Sequence, residues 1–558
     1  MITRTGTASI LLPAAFLLAS CGSRSAHMGR LEVSRNAGSI CRYGIFELSV
    51  KSTAVASDPF FDPVLKVEFR SPDGRSRRIR GFYYGRQIWM VRFRPDTPGT
   101  WTYSYAFGPG KDNPRSGEGN FLCTQAEDRF PPLRVNPENP FRWITVSGAT
   151  YFPVGLQDCF GHDGAHIAKP VIDGEGRSDL PHAVTISQYF TIYGQAGFNL
   201  LRFSQRNCSF PLYSDLDHYL QIESLATDEL IATARQSGFR VMFGIFGYHG
   251  LWYSGNYPGK VLHFLRGKLG MLDEGVGGRS GPVEKEKRFI DYCVARWGVY
   301  VDFWELLNER QATDSWTASM AAYTRTTDPE HHPVATSWEK PSLPEIAINA
   351  PHWYTSEKET ESDDVTVQRA RDWKRFGKPV IVGEHGNLGM NWDPKSGLRM
   401  RLRLWTALFQ EIALVFWNTS WSKYGMNGGV YTPANASNIY LGPEERMYVR
   451  ILSDYASHLD SGVRMLPVSV SVPQRIRAYG LASGCVVGLY LHHYTDHSAI
   501  ERGAEVTFTA PASIVPGEAR WIDTATGSRT GSATIRPGRQ TIRVPPFQTD
   551  VALLLSSD

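Results

Sequence analysis

Two glutamates offer the clearest chemistry in this sequence. Glu309 closes the run Phe303-Trp304-Glu305-Leu306-Leu307-Asn308-Glu309, and Glu384 closes Val380-Ile381-Val382-Gly383-Glu384 before His385-Gly386. Apolar and β-branched residues lead up to each carboxylate, and Gly, Asn or charged residues follow it. Each stretch therefore reads as a buried strand that delivers a Glu where the chain leaves the core. Two carboxyls facing one opening can divide the work of proton donor and nucleophile, which is the equipment for cleaving a glycosidic bond. Glu305 lies four residues before Glu309, on the same face but deeper, where a carboxylate needs a partner such as an arginine.

The elements that must position these groups are legible around them. Over residues 131–465 strand-like runs alternate with helical ones, as in β/α units. Strands are predicted at 151–155, 199–203, 240–245, 300–307, 333–337, 347–350, 379–383 and 414–417, and eight is the count for a closed barrel. Helices are predicted at 284–297, where Phe289, Cys293 and Trp297 recur at helical spacing, and at 397–412. In such a barrel the active groups gather where strands end. Arg202 then stands at the end of strand two, His249 follows strand three, Asn308 and Glu309 strand four, and His352 and Tyr354 strand six. Glu384 ends strand seven and Trp417 strand eight. Residues 253–283, rich in Gly, Pro and charge, read as a lid or cleft wall. Trp252, Trp353 and Trp421 read equally as core or as sugar-stacking surfaces.

The flanks are β-rich. In residues 31–130, Trp89, Val91 and Phe93 alternate with polar residues or Met90. The turn 95–99 follows, then Trp101, Tyr103 and Tyr105 alternate with Thr102 and Ser104, which predicts a hairpin with one aromatic face. The basic cluster 75–80 after Pro72-Asp73-Gly74 reads as the solvated face of another hairpin. Residues 81–103 resemble the immunoglobulin-like module in front of some secreted glycoside hydrolase barrels. After a helix at 444–459, residues 466–558 return to β character, with strands expected at 468–472 and 485–490. His492, His493 and His497 lack the carboxylate or Cys companions of a metal site. The predicted fold class is multidomain: a central (β/α)8 TIM barrel over 131–465, flanked by N-terminal (31–130) and C-terminal (466–558) β-sandwich domains.

The ordered set of strand ends resembles the glycoside hydrolases of clan A, in particular the family 5 type that includes cellulases and mannanases. That resemblance implies a retaining enzyme acting on β-linked glycans, with Glu309 as general acid/base and Glu384 as nucleophile. It further implies that Asn308 donates to the sugar 2-hydroxyl and that Arg202 and Tyr354 hold the nucleophile. His249 and His352 would line the subsite, and Trp417 would form the stacking platform. Arg310 departs from the family, which usually has proline there. The mechanism implied calls for no cofactor and no metal. Its partner is an oligo- or polysaccharide. Two alternatives stand beside it: an inactive carbohydrate-binding lipoprotein, and a clan A enzyme of other specificity, such as an arabinofuranosidase.

Composition bounds the remaining possibilities. The chain has 558 residues, 42% of them hydrophobic, with 15 Trp, 25 Tyr and 28 Phe, enough for several cores. Residues 1–20 carry Arg4 and an apolar stretch, ending Leu18-Ala19-Ser20-Cys21, which reads as a signal peptide with a lipoprotein box. Cys21 is then the lipidated terminus, 21–30 a tether, and Gly22 the residue found in lipoproteins sent to an outer membrane. The alternative is an ordinary signal peptide with an incidental cysteine. After removal of 1–20, 58 basic side chains face 55 acidic ones, a balance that argues neither for a nucleic-acid partner nor for a strongly acidic one, and none of the former is expected. No later apolar run approaches a bilayer span, so membrane contact is expected only through the anchor. Among the other cysteines, Cys41 with Cys123 and Cys159 with Cys208 are conceivable bridges that spacing alone does not decide.

Overall fold

A computed structural model describes residues 29–109, 114–158, 160–163, 166–170, 183–205, 209–247, 281–309, 312–337, 339–387, 395–418 and 441–556. Its centre is a curled, all-parallel, eight-stranded sheet with helices packed outside it, the TIM-like arrangement expected. In chain order the strands are β1 (Val154–Gln157), β2 (Leu200–Ser204), β3 (Arg240–Phe246), β4 (Phe303–Leu307), β5 (Val334–Ala335), β6 (His352–Thr355), β7 (Ile381–Asn387) and β8 (Ala413–Trp417). They are hydrogen-bonded in the order β5-β4-β3-β2-β1-β8-β7-β6. The gap between β5 and β6 is spanned by the backbone before β6. The Ala347 amide donates to the Val334 carbonyl at 2.8 Å, and the Ile381 amide donates to the Asn349 carbonyl at 3.1 Å.

Strands one and six are displaced by proline; strand seven, expected at 379–383 with Glu384 at its end, runs on to Asn387 so that Glu384 lies inside β7, and strand four starts only at Phe303 because Gly298–Tyr300 forms a 3-10 turn. Strand one was expected at 151–155, but Phe152-Pro153 interrupts it. Thr150–Tyr151 pair instead with Ile144 and Trp143, and the barrel strand begins at Val154. Strand six was expected at 347–350 with His352 and Tyr354 beyond its end. Pro351, which has no N–H to give a ladder, divides the segment, and the regular strand is His352–Thr355 itself. His352 and Tyr354 are thus strand residues, paired in register with Glu384 and Gly386.

The lower end of the barrel is closed by a hairpin, Leu133–Asn136 with Asn139–Thr145. It drives Trp143 into a cluster with Leu200, Met242, Phe303, Ile381 and Val415, with the Trp143 and Phe303 rings 4.8 Å apart. Burying that end leaves the opposite rim as the place where polar side chains can converge.

Before the barrel, a four-stranded and a five-stranded sheet face one another. The predicted hairpin of 89–105 is corrected here. Ile88–Phe93 belongs to the four-stranded sheet and Gly99–Gly108 to the five-stranded one, so the two aromatic rows meet across the sandwich. Phe93 packs on Trp101 and Trp89 on Phe107, each pair 5.0 Å between ring centres. The basic cluster does lie on a hairpin strand, Ser76–Arg80, paired with Val64–Arg70. Cys41 and Cys123 are both unbonded: the register sets Ile40, not Cys41, opposite Cys123. Cys159, Cys208 and Cys21 lie outside the described residues.

The sandwich is tied to the barrel by Arg92, which donates to Glu47 (2.9 Å), to Asp228 (3.0 Å) and to the Arg296 carbonyl (2.6 Å). After the helix Pro443–Ser457 come a six-stranded and a three-stranded antiparallel sheet with a core of their own. In that last unit the His492 and His497 rings touch through their Nε2 atoms at 2.8 Å, and Asp363 backs His492 at 3.0 Å. A carboxylate, unread from sequence, therefore does stand behind this pair.

Candidate active site

The rim of the barrel brings together Arg202, Asn308, Glu309, His352, Tyr354, Glu384 and Trp417. His249, Trp252, Trp421, Arg310 and all but the end of the 253–283 segment lie outside the described residues. Glu384 is enclosed, its side chain 1% exposed, and four groups surround its two oxygens. Oε1 accepts from Arg202 Nη1 at 2.8 Å and from Gln157 Nε2 at 3.2 Å. Oε2 accepts from the Tyr354 hydroxyl at 2.5 Å and faces His352 Nδ1 at 3.4 Å. Burial pushes this carboxyl up. The charges of His352 and Arg202 and the hydrogen bonds from Tyr354 and Arg202 outweigh it and hold the group below its ordinary value. Glu384 thus stays ionised at neutral pH and loses its charge only as pH falls through that depressed value. Burial and the neighbouring Glu384 charge push the Tyr354 hydroxyl up, so it remains a proton donor.

Glu309 stands in a different environment. Its side chain is 35% exposed, and Oε1 lies 2.8 Å from His352 Nδ1. The backbone there is left-handed, with φ of 50°, two residues past the end of β4. Asn308, just before it, is fully buried; its Oδ1 accepts from Arg202 Nη2 at 2.6 Å, while its Nδ2 has no partner among the described residues. A buried amide N–H without an acceptor is costly, and an incoming hydroxyl would satisfy it. Trp417, at the end of β8, lies 6.2 Å from the Tyr354 ring, tilted at 57° to it.

Glu309, His352 and Glu384 each bring one potential ligand atom to within 4.8 Å of the others, so these three are the described residues that could hold a cation. The guanidinium 2.8 Å from Glu384 opposes a second positive charge there. The geometry suits a neutral ligand whose reacting atom enters between the two carboxylates.

Several supporting residues were not read from sequence. Gln157 ends β1 and touches both Arg202 and Glu384. Its only signal was a polar residue closing an apolar run, in a strand predicted to end two residues earlier. Ser337, after β5, donates to Glu305 at 2.7 Å. Below the site, burial and then Arg403 push His385 down to about 3, and this neutral ring donates Nδ1–H to the Trp353 carbonyl. Glu305 behaves as foreseen, a buried carboxylate on Arg202.

The curled parallel barrel with its two β-rich flanks is similar in fold to a solved glycoside hydrolase structure. A structure of a glycoside hydrolase candidate from Bacteroides vulgatus ATCC 8482 is 16% identical, covers 93% of this chain and 100% of its own, and superposes with a TM-score of 0.60. A family 39 glycoside hydrolase from Bacteroides cellulosilyticus WH2 is 11% identical over 94% of this chain and 100% of its own, with a TM-score of 0.45. A family 5 mannosidase from Rhizomucor miehei is 11% identical over 59% of this chain and 98% of its own, with a TM-score of 0.39. Residues 39–108 match a family described as a domain of unknown function (DUF5060). No curated protein matches the sequence.

The hydroxyl of Tyr354 gives one direct test of the electrostatics. Tyr354→Phe removes the hydrogen bond to Oε2, so the Glu384 carboxyl is expected to rise, and its titration followed by infrared difference spectroscopy should move to higher pH. An unmoved profile in a folded variant would show that Tyr354 does not act on Glu384.

Proposed function

We propose that this protein is a retaining glycoside hydrolase that cleaves β-linked glycans by double displacement. The observation that carries the reading is the approach of one oxygen of Glu309 and one of Glu384 to within 4.8 Å. Retaining enzymes hold their carboxyls about 5–5.5 Å apart, whereas inverting enzymes need about 6.5–9.5 Å to fit a water. The unequal surroundings of the two groups support a division of roles. Glu384, ionised and enclosed, attacks the anomeric carbon. Glu309, open to the mouth, gives its proton to the departing oxygen and then takes one from the water that releases the glycosyl-enzyme. The orphan amide of Asn308 favours a hydroxyl on the sugar beside the reacting carbon, and Trp417 offers that sugar an apolar face. We also propose export of the protein and anchoring through Cys21, on the strength of residues 1–21.

The test is incubation with a panel of β-glycans, aryl β-glycosides and aryl α-arabinofuranosides while proton NMR follows the first-formed anomer. The expected product keeps the β configuration. Net inversion would sink the two-step mechanism even with hydrolysis established, and an α-arabinofuranoside as the best substrate would select the alternative specificity.

A further inference from the structure

Arg202 is fully enclosed, and its five N–H groups are all used. Nη1 donates to Glu384 Oε1 and Gln157 Oε1. Nε and Nη2 both donate to Glu305 Oε2, at 3.0 and 2.6 Å, and Nη2 also reaches Asn308 Oδ1. One cation thus serves two buried carboxylates. The contact made by two of its nitrogens goes to Glu305, the one remote from the mouth, and Ser337 Oγ occupies the other oxygen of Glu305 at 2.7 Å.

Charge bookkeeping through the reaction gives this arrangement a purpose. In the first step a Glu384 oxygen bonds to the anomeric carbon, the bond from that carbon to the leaving oxygen breaks, and the Glu309 proton passes to the leaving oxygen. Glu384 becomes a neutral ester and Glu309 a carboxylate. The negative charge therefore leaves the side of Arg202 and appears at the exposed end of the site. An enclosed guanidinium facing only the ester would be an uncompensated buried charge, which is strongly unfavourable.

We propose that Glu305 is a positioning residue whose carboxylate keeps Arg202 paired while Glu384 is esterified, so that Arg202 can orient the nucleophile without being left unpaired in the glycosyl-enzyme. The inference rests on the double-displacement reading above. It also gives Arg202 a divided pull: shared with Glu305, the guanidinium leaves Glu384 more nucleophilic than an exclusive pair would.

The test is Glu305→Gln, which keeps size and polarity and removes the charge. In the free enzyme Arg202 still has Glu384, so the variant is expected to fold and to bind a neutral sugar inhibitor as wild type does. Covalent labelling of Glu384 by a 2-deoxy-2-fluoro aryl glycoside, followed by intact mass, is expected to slow about a hundredfold. The acid limb of kcat/KM should move to lower pH, because Arg202 then acts on Glu384 alone. Glu305→Asp, which keeps the charge, is expected to label within about tenfold of wild type. Failure of Glu305→Gln to fold, a labelling rate and pH profile equal to wild type, or a Glu305→Asp variant as slow as Glu305→Gln would each overturn the proposal. Wild type is run in parallel: absence of labelling and of hydrolysis there would overturn the double-displacement reading itself.

Discussion

Glu384→Gln is expected to lower turnover by at least about four orders of magnitude while leaving sugar affinity near that of wild type. The amide preserves the shape of the side chain and an oxygen for the Tyr354 hydroxyl, but it carries no charge to form the ester. The fold should persist, since Arg202 keeps Glu305, 2.6 Å from its Nη2, as an anionic partner. Calorimetry with an oligosaccharide, set beside turnover of the same compound, separates the two effects. The same pair of measurements decides against or for the inactive binding lipoprotein. If wild type and variant bind alike and are equally inert on a broad panel, binding is the function.

The second large effect belongs to Glu309→Ala. Without a proton donor, glycosides with poor leaving groups should lose about 10²- to 10⁴-fold in kcat/KM, while aryl glycosides with good leaving groups still form the glycosyl-enzyme and then stall. Azide is small enough for the space vacated beside His352 and needs no general base, so it should restore turnover and give the β-glycosyl azide. The product is identified by NMR. An α-azide, or no rescue on a substrate that labels Glu384 normally, would remove Glu309 from the acid/base role.

The contrast between what was legible and what was not follows the range of the interactions. Glu309, Glu384 and Arg202 could be singled out because apolar runs lead up to them, although β2 runs on past Arg202 to Ser204, β4 stops at Leu307 and β7 runs on past Glu384 to Asn387. The alternation of such runs with helical stripes gave the barrel in the same way. Register is different, because it depends on partners far along the chain. His352 and Tyr354 were placed beyond a strand when they are in one, since the interruption at Pro351 shifts the regular ladder towards β7. Gln157 was passed over because Pro153 moves the start and end of β1. The aromatic rows around Trp89 and Trp101 looked like neighbours in a hairpin, yet belong to opposite sheets. Nothing in the local alternation distinguishes side-by-side from face-to-face packing.

Under the acid/base role proposed for Glu309, its left-handed backbone sets stability against function at a single position. A side chain with a Cβ held at φ of 50° costs on the order of 1–2 kcal/mol relative to glycine, which adopts that conformation freely. In a saturation library at this codon, selection for heat resistance should enrich Gly, and Asn after it, while selection for growth on the substrate glycan should retain Glu. A homologue that carries glycine there would have traded its proton shuttle for a firmer scaffold, and reading that one position would tell an enzyme from a descendant that only holds sugar.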